Sequence, residues 1–308
     1  MSPPASPLAA RDSIRRHSRS FSLASRLLPA DKRADVERLY AWCRWCDDGV
    51  DHAASASEAT DFIERAARDL RLVVDGETPL APESLWFAAV ERRHGLSVEA
   101  AQAFLAGMRS DLDPVEGMRV DDLMRYCFRA AGAVGVMMCP ILGLRDSAFL
   151  PNAAALGIGM QLTNIARDVA EDWRRSRCYL PIAWTDGLRP GPAPPDEERA
   201  RRGVRQLLDT ADGFYDAGEL GVAALDRDSR FAVRAAGRIY DAIGAKIRRR
   251  EYRVLDGRTR VSFPEKLRLL AGLAAPWAWS HRLPAGKPRV EESLAVSRQL
   301  LLEHGVEL

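Results

Sequence analysis

Apolar positions along this chain recur at intervals of three and four, the period of helices that each bury one stripe. Residues 58–74 show it plainly, with Phe62, Ala66, Leu70 and Val73 roughly in line. The same reading predicts a helix from near Asp12 through SRSFSLASRLLP to Pro29. Helices follow over 31–51, 58–74, 83–94, 97–112, 121–142, 147–175, 196–220, 226–255, 264–280 and 290–304. Residues 121–142 are apolar nearly all round after Arg129, which marks a central helix. Gly132 and Gly135 within it cost helix propensity. They suit close approach of either a neighbouring backbone or a ligand. Alternation of period two lasts no more than a few residues anywhere, so strands are not expected. The loop DGLRPGPAPP, residues 186–195, is a candidate domain boundary, but helical pattern resumes at once. The expected architecture is all-α and single-domain, with a central cavity. Residues 1–12, rich in Pro, Ala and Ser, are expected to be a disordered tail, and 13–308 the domain.

Two predicted helices carry polar faces inside apolar surroundings. In QLTNIARDVAEDWRRSRCYLP, residues 161–181, Gln161, Asn164, Asp168 and Asp172 fall within an arc of roughly 80° at 100° per residue. In YAWCRWCDDGVD, residues 40–51, Tyr40, Arg44, Asp47 and Asp51 share roughly 60°, with Asp48 just outside. Carboxylates at i, i+4 repel one another. A single D-x-x-x-D face reads as a solvated surface with local salt bridges. Two of them, Asp47/Asp51 and Asp168/Asp172, each with an arginine close by (Arg44, Arg167), read as a cage for metal ions and a diphosphate. Oxygen ligands suit Mg²⁺, which takes one or two carboxylates and fills its other sites with water and phosphate oxygens.

Composition narrows the field. The 308 residues are 47% hydrophobic and 29% charged, ample for a buried core, and the formal net charge of +2 gives no reason to expect nucleic acid. Five cysteines include Cys43-x-x-Cys46 with no second C-x-x-C; the thiols are expected reduced, cytosolic and mostly buried. The first twenty residues lack the apolar core of a signal peptide. No run of about 20 apolar residues offers a membrane span. Trp277 and Trp279, flanked by Arg282, suit either a membrane interface or ordinary packing. The basic run Arg248-Arg249-Arg250 reads as a solvated face.

These segments together resemble the squalene/phytoene synthase family, the head-to-head prenyl synthases. SRSFSLASRLLP is similar to the family's opening segment, YAWCRWCDDGVD to its first aspartate-rich motif and YCFRAAGAVG to its central helix motif. QLTNIARDVAED with the following RCYLP is similar to its second aspartate-rich motif. The resemblance runs from about residue 18 to 266. It implies an all-α isoprenoid-synthase fold and Mg²⁺, with Mn²⁺ as a substitute. It implies condensation of two identical prenyl diphosphates through a cyclopropylcarbinyl diphosphate. Asp47, Asp51, Asn164, Asp168 and Asp172 match the positions that hold Mg²⁺–diphosphate, and Asp48 a supporting position. Ser18, Ser20 and Phe21 match a flap over the diphosphate site. Tyr40, Arg44, Gln161, Arg167 and Tyr240 match its polar lining, Tyr126 the central-helix tyrosine, and Arg258 a late basic residue. Ser22 stands where an aromatic is common, and the segment after Gly257 is only loosely similar.

Ionising an allylic diphosphate needs charge on the leaving group neutralised, and the carbocation then needs a dry cavity. The apolar helix 126–142 and the approach from Leu156 to Met160 are candidates for that cavity's walls. Tyr126 or Tyr40 suits stabilisation of a cation by its ring face or relay of a proton, or else simple burial. The leading expectation is phytoene from two geranylgeranyl diphosphates via prephytoene diphosphate. The alternative is a farnesyl diphosphate-using enzyme making squalene, dehydrosqualene, hydroxysqualene or presqualene diphosphate, with NADPH only for squalene. A catalytically silent assembly factor is the non-enzyme alternative, against which both intact aspartate motifs argue. The greasy substrate predicts a cytoplasmic enzyme in peripheral contact with the inner face of the membrane. Oligomeric state is not legible.

Overall fold

The computed structural model describes residues 19–274 and 288–308. The expected tail over residues 1–12 lies outside the described residues, as do Ser18, Trp277, Trp279 and Arg282. Helix α1 spans Arg19–Ser25, α2 Ala30–Asp51, α3 Ala56–Val74, α4 Ser84–His94 and α5 Val98–Ser110. A short strand, β1 (Glu116–Met118), precedes α6 (Val120–Cys127), a π turn over Phe128–Gly132 and α7 (Ala133–Leu142). Helix α8 (Leu150–Arg174) is followed by β2 (Cys178–Pro181) and the short α9 (Ile182–Thr185). Helices α10 (Glu197–Gly221), α11 (Arg227–Arg249), α12 (Phe263–Ala274) and α13 (Pro288–Glu303) complete the described chain.

Local chemistry sets several of these boundaries. Side chains of Ser55, Ser97 and Asp196 accept hydrogen bonds from the backbone N–H groups three residues on, capping α3, α5 and α10. Helix α4 ends on Gly95 at φ 63°, a conformation that glycine adopts without penalty. Helix α11 stops at Arg249, short of the expected 255, because the backbone turns left-handed at Glu251 and Tyr252. That turn sends residues 258–263 back across the cavity mouth.

Helix α8 is the axis of the molecule. It packs along α10 and also touches α7, the π turn, α11 and α13. Its first half is buried nearly all round through Pro151, Ala154, Ala155, Ile158 and Leu162. On α2 the buried Trp42 lies 4.5 Å from Phe87 and 5.7 Å from Phe104, tying α2 to α4 and α5. The stretch expected as one helix from 121 to 142 is broken by the π turn, a local widening common at functional sites. The strands are a second departure: β1 and β2 pair in parallel, Glu116 opposite Cys178 and Met118 opposite Pro181. At three and four residues, they are too short to show a period. All five cysteines are buried free thiols.

Candidate active site

A cavity of 1230 Å³ opens at the ends of α2 and α8 that carry the aspartates. Helix α2 contributes Tyr40, Arg44, Asp47 and Asp51 to its wall, the four residues of the predicted arc. Helix α8 contributes Gln161, Asn164, Arg167, Asp168 and Asp172. Phe21 on α1, Tyr126 on α6, Tyr240 on α11 and Arg258 after α11 also line it. Asp48 stands beside the cavity wall, where it accepts a 2.5 Å bond from Arg44 Nη2. Ser20 lies in α1. Below the polar mouth the wall turns apolar, with Val134, Met138 and Leu142 of α7 facing Ala153, Leu156 and Met160 of α8.

The mouth is a lattice of guanidinium–carboxylate pairs. Arg44 Nη1 donates to Asp47 Oδ2 at 2.6 Å. Arg167 grips Asp168 through two bonds of 2.8 and 2.5 Å, the fork geometry of the strongest ion pairs. Arg258 reaches the same carboxylate from the loop, Nε to Oδ1 at 2.9 Å, and Glu171 at 3.4 Å. Arg175 and Arg177 hold the two oxygens of Asp51 at 3.1 and 3.3 Å. Thus the first acidic face is bound by arginines that follow the second. Glu171, Arg175, Arg177 and Asp111 were not singled out from sequence. The first three lie within six residues of Asp172, and that adjacency was the available signal.

Burial dominates the titration of the acids. It raises the Asp47 carboxyl, opposed by Arg44 and reinforced by Asp51 and Asp48. It lifts Asp172 to about 7, with Asp168 adding repulsion and Arg177 opposing. A buried carboxylate beside a second one favours a cation nearby. Asn164 Oδ1 is buried with no hydrogen-bond partner among the described residues, although Asn164 Nδ2 donates to Gln161 Oε1 at 3.3 Å. An orphaned amide oxygen in the cavity wall, one helical turn from Asp168, is a ready ligand for a hard cation. Among the described residues no three Asp, Glu, His or Cys side chains converge on one point. Mg²⁺ does not require that, since water and phosphate oxygens complete its shell. The donor set therefore fits Mg²⁺.

An all-helical fold around an apolar cavity with paired acidic faces at its mouth is that of the isoprenoid synthases. Residues 14–265 match the family described as squalene/phytoene synthase. The chain is 37% identical to the 15-cis-phytoene synthase of Enterobacter agglomerans over 283 residues, 88% of this chain and 96% of that one. It is 37% identical to the 15-cis-phytoene synthase of a Paracoccus species, covering 79% and 82% of the two chains. A solved dehydrosqualene synthase in complex with ligand superposes with a TM-score of 0.77 at 27% identity, covering 87% and 94%. The chain belongs to the squalene/phytoene synthase family and is a prenyltransferase acting on prenyl diphosphates.

Among the described residues, no helix is long and apolar enough to cross a membrane.

Proposed function

We propose that this enzyme joins two geranylgeranyl diphosphates head-to-head to give phytoene by way of prephytoene diphosphate. What carries the C20 reading is its likeness to phytoene synthases over most of the chain, at 37% identity across 88% of it for one of them.

In this reading Asp47, Asp51, Asn164, Asp168 and Asp172 hold Mg²⁺, for which Mn²⁺ substitutes. The bound metal neutralises charge on the departing diphosphate. Arg44 and Arg167 add fixed positive charge around the same group, which lowers the barrier to ionisation by preorganisation, and Arg258 adds a further positive charge from the loop. Asp48 restrains Arg44 from behind. Tyr40, stacked on Phe21 with centroids 5.0 Å apart, presents aromatic surface at the mouth. Gln161 orients the Asn164 amide, and Tyr240 adds a hydroxyl to the lining. The resemblance assigns Ser18 and Ser20 to a flap over the diphosphate. The apolar walls exclude water from the carbocation.

Contact with the cytoplasmic membrane surface is part of this proposal. Phe263 and Leu267 on α12, 62% and 47% exposed, stand at the cavity mouth or one turn from it. They give a greasy substrate an apolar approach.

The test offers farnesyl and geranylgeranyl diphosphate separately, with and without NADPH, to the purified enzyme, and identifies the hydrocarbon by mass. Phytoene from the C20 substrate without reductant, abolished by a chelator and restored by Mg²⁺, is the expected result. Exclusive use of farnesyl diphosphate overturns the C20 assignment, and full activity in chelator overturns the metal site.

A further inference from the structure

One carboxylate in the cavity belongs to neither aspartate-rich face. Asp111 follows the last residue of α5 and lines the cavity. Its Oδ1 accepts a hydrogen bond from the Tyr179 hydroxyl at 3.0 Å, and its Oδ2 one from the Tyr126 hydroxyl at 3.4 Å. The two rings stack with centroids 4.8 Å apart and planes 25° from parallel. Both tyrosines are buried, yet Tyr126 also forms part of the cavity wall. Arg177 closes the cluster by donating to the Asp111 backbone carbonyl at 3.2 Å and to Asp51 at 3.3 Å. Two phenols from distant segments thus converge on one acceptor, with a path from cavity to carboxylate through Tyr126.

The proposed reaction, on which this inference rests, needs such a path twice. In the first half a diphosphate leaves one substrate, and the allylic carbon bonds to the double bond of the other. A C–H bond then breaks, and its electron pair closes the cyclopropane. In the second half the remaining diphosphate leaves, the ring rearranges and opens, and a second C–H bond breaks to form the central double bond. Each half releases one diphosphate and one proton. Of the mouth carboxylates, Asp47, Asp48, Asp51 and Asp168 are held by arginines, and Asp172 is committed to the metal in this reading, so none is placed to take that proton.

We propose that Asp111 is the terminal proton acceptor of this reaction, with Tyr126 relaying the proton from the cavity and Tyr179 fixing the carboxylate. As the Tyr126 oxygen receives a proton from carbon, its own hydroxyl proton passes to Asp111, so one C–H bond is exchanged for one carboxyl O–H; Asp111 then gives that proton to water at the open mouth before the second half. The groups facing Asp111 are Tyr126 on α6, Tyr179 on β2, Arg177 just before β2, and Asp47 and Asp51 on α2. Burial lifts its carboxyl to about 6, opposed by Arg177 and Tyr179, with Asp47 and Asp51 adding to the rise. A carboxylate in that range is a stronger base than a solvated one and is still ionised at neutral pH.

The experiment uses the full-length enzyme at saturating Mg²⁺ with whichever prenyl diphosphate the wild type turns over. Asp111→Asn keeps an acceptor oxygen for a tyrosine but cannot take a proton. Its kcat for hydrocarbon is expected to fall at least about 100-fold, with KM within about threefold of wild type, the size of a lost general base. Diphosphate release should outlast hydrocarbon formation, and Asp111→Glu should recover part of kcat. The wild-type rate should decline as pH falls through the Asp111 titration. Tyr179→Phe, which removes a bond to the ionised carboxylate, should move that decline to higher pH. Near-wild-type kcat in Asp111→Asn, or an unmoved pH profile in Tyr179→Phe, would overturn the proposal. If Asp111→Asn does not fold, the Tyr179→Phe profile decides alone. A wild type that uses only farnesyl diphosphate overturns the C20 reading by itself, and the same variants on that substrate then judge the relay.

Discussion

Replacing Gly157 with alanine tests whether the cavity wall depends on backbone-to-backbone packing. Gly157 lies one helical turn before Gln161 on α8, where α8 crosses the π turn. A Cβ there would sit 2.4 Å from the Ala131 carbonyl oxygen, 2.7 Å from its carbon and 2.8 Å from Gly132 Cα, whereas ordinary contact begins at 3.4 Å. The obstacle is backbone and cannot rotate away, so α8 must retreat by on the order of 1 Å in an interior that has no slack. Overpacking of this kind costs about 1–3 kcal/mol, and the better helix propensity of alanine offsets roughly 1. With backbone as the obstacle the cost lies at the upper end, leaving a net loss of about 1–2 kcal/mol and a Tm lower by roughly 2–6 °C. Gly272 on α12 is the control, since a Cβ there meets nothing within 4 Å among the described residues. Gly272→Ala should stabilise by up to about 1 kcal/mol. Thermal unfolding followed by far-UV circular dichroism reads both. A Gly157→Ala variant as stable as wild type, alongside a stabilised Gly272→Ala, would refute the reasoning.

Two further outcomes are expected. Asp47→Ala and Asp168→Ala should each lower turnover by at least about 100-fold while leaving the far-UV spectrum unchanged, because each removes charge that stabilises the leaving group; normal product formation by either folded variant contradicts this. His304 pairs α13 to the π-turn region: its Nε2 accepts from Arg129 Nε at 3.0 Å, and its ring lies 4.9 Å from Phe128. Burial, and then Arg129, hold its imidazole below the usual value of 6.5. The unfolded chain therefore takes up the proton first, and the stability that neutral His304 supplies is lost as pH falls below 6.5. Wild type should lose more Tm than His304→Gln between neutral pH and about 5.5; equal losses would contradict the assignment.

The helical period was legible where one face is polar and opaque where none is. Helices α2 and α8 were expected at 31–51 and 147–175 and span Ala30–Asp51 and Leu150–Arg174. Their acid residues sit against apolar neighbours, so the phase of each helix shows in the sequence. From Phe128 to Leu142 nearly every side chain is apolar, and an extra residue in one turn leaves no mark on a pattern without phase. The end of α11 was missed because the left-handed residues are Glu251 and Tyr252, not glycine. Asp111 was missed for another reason. Its partners come from residues 126, 177 and 179, and no local spacing joins them.

The exposure of the arginines at the mouth separates two kinds of positive charge. Arg167, doubly bonded to Asp168, is 16% exposed, whereas Arg258, which also forks onto Asp168, and Arg175, with its one bond to Asp51, are 41% and 51% exposed. Solvent screens an ion pair at an exposed arginine, so Arg258 and Arg175 leave their carboxylates at less cost than Arg167 would. Their planar guanidinium groups bond phosphate oxygens in the same fork that bonds a carboxylate. Under the proposed function, metal cations arriving with a diphosphate would supply the carboxylates with new partners and would leave those two arginines for the phosphates. Arg167, the least exposed of the three, would stay with Asp168 and keep that side chain in place. The near balance of acid and base at the mouth therefore suits a site that exchanges partners as its substrate enters. An isolated acidic pair in the same position would carry uncompensated repulsion whenever no substrate was bound.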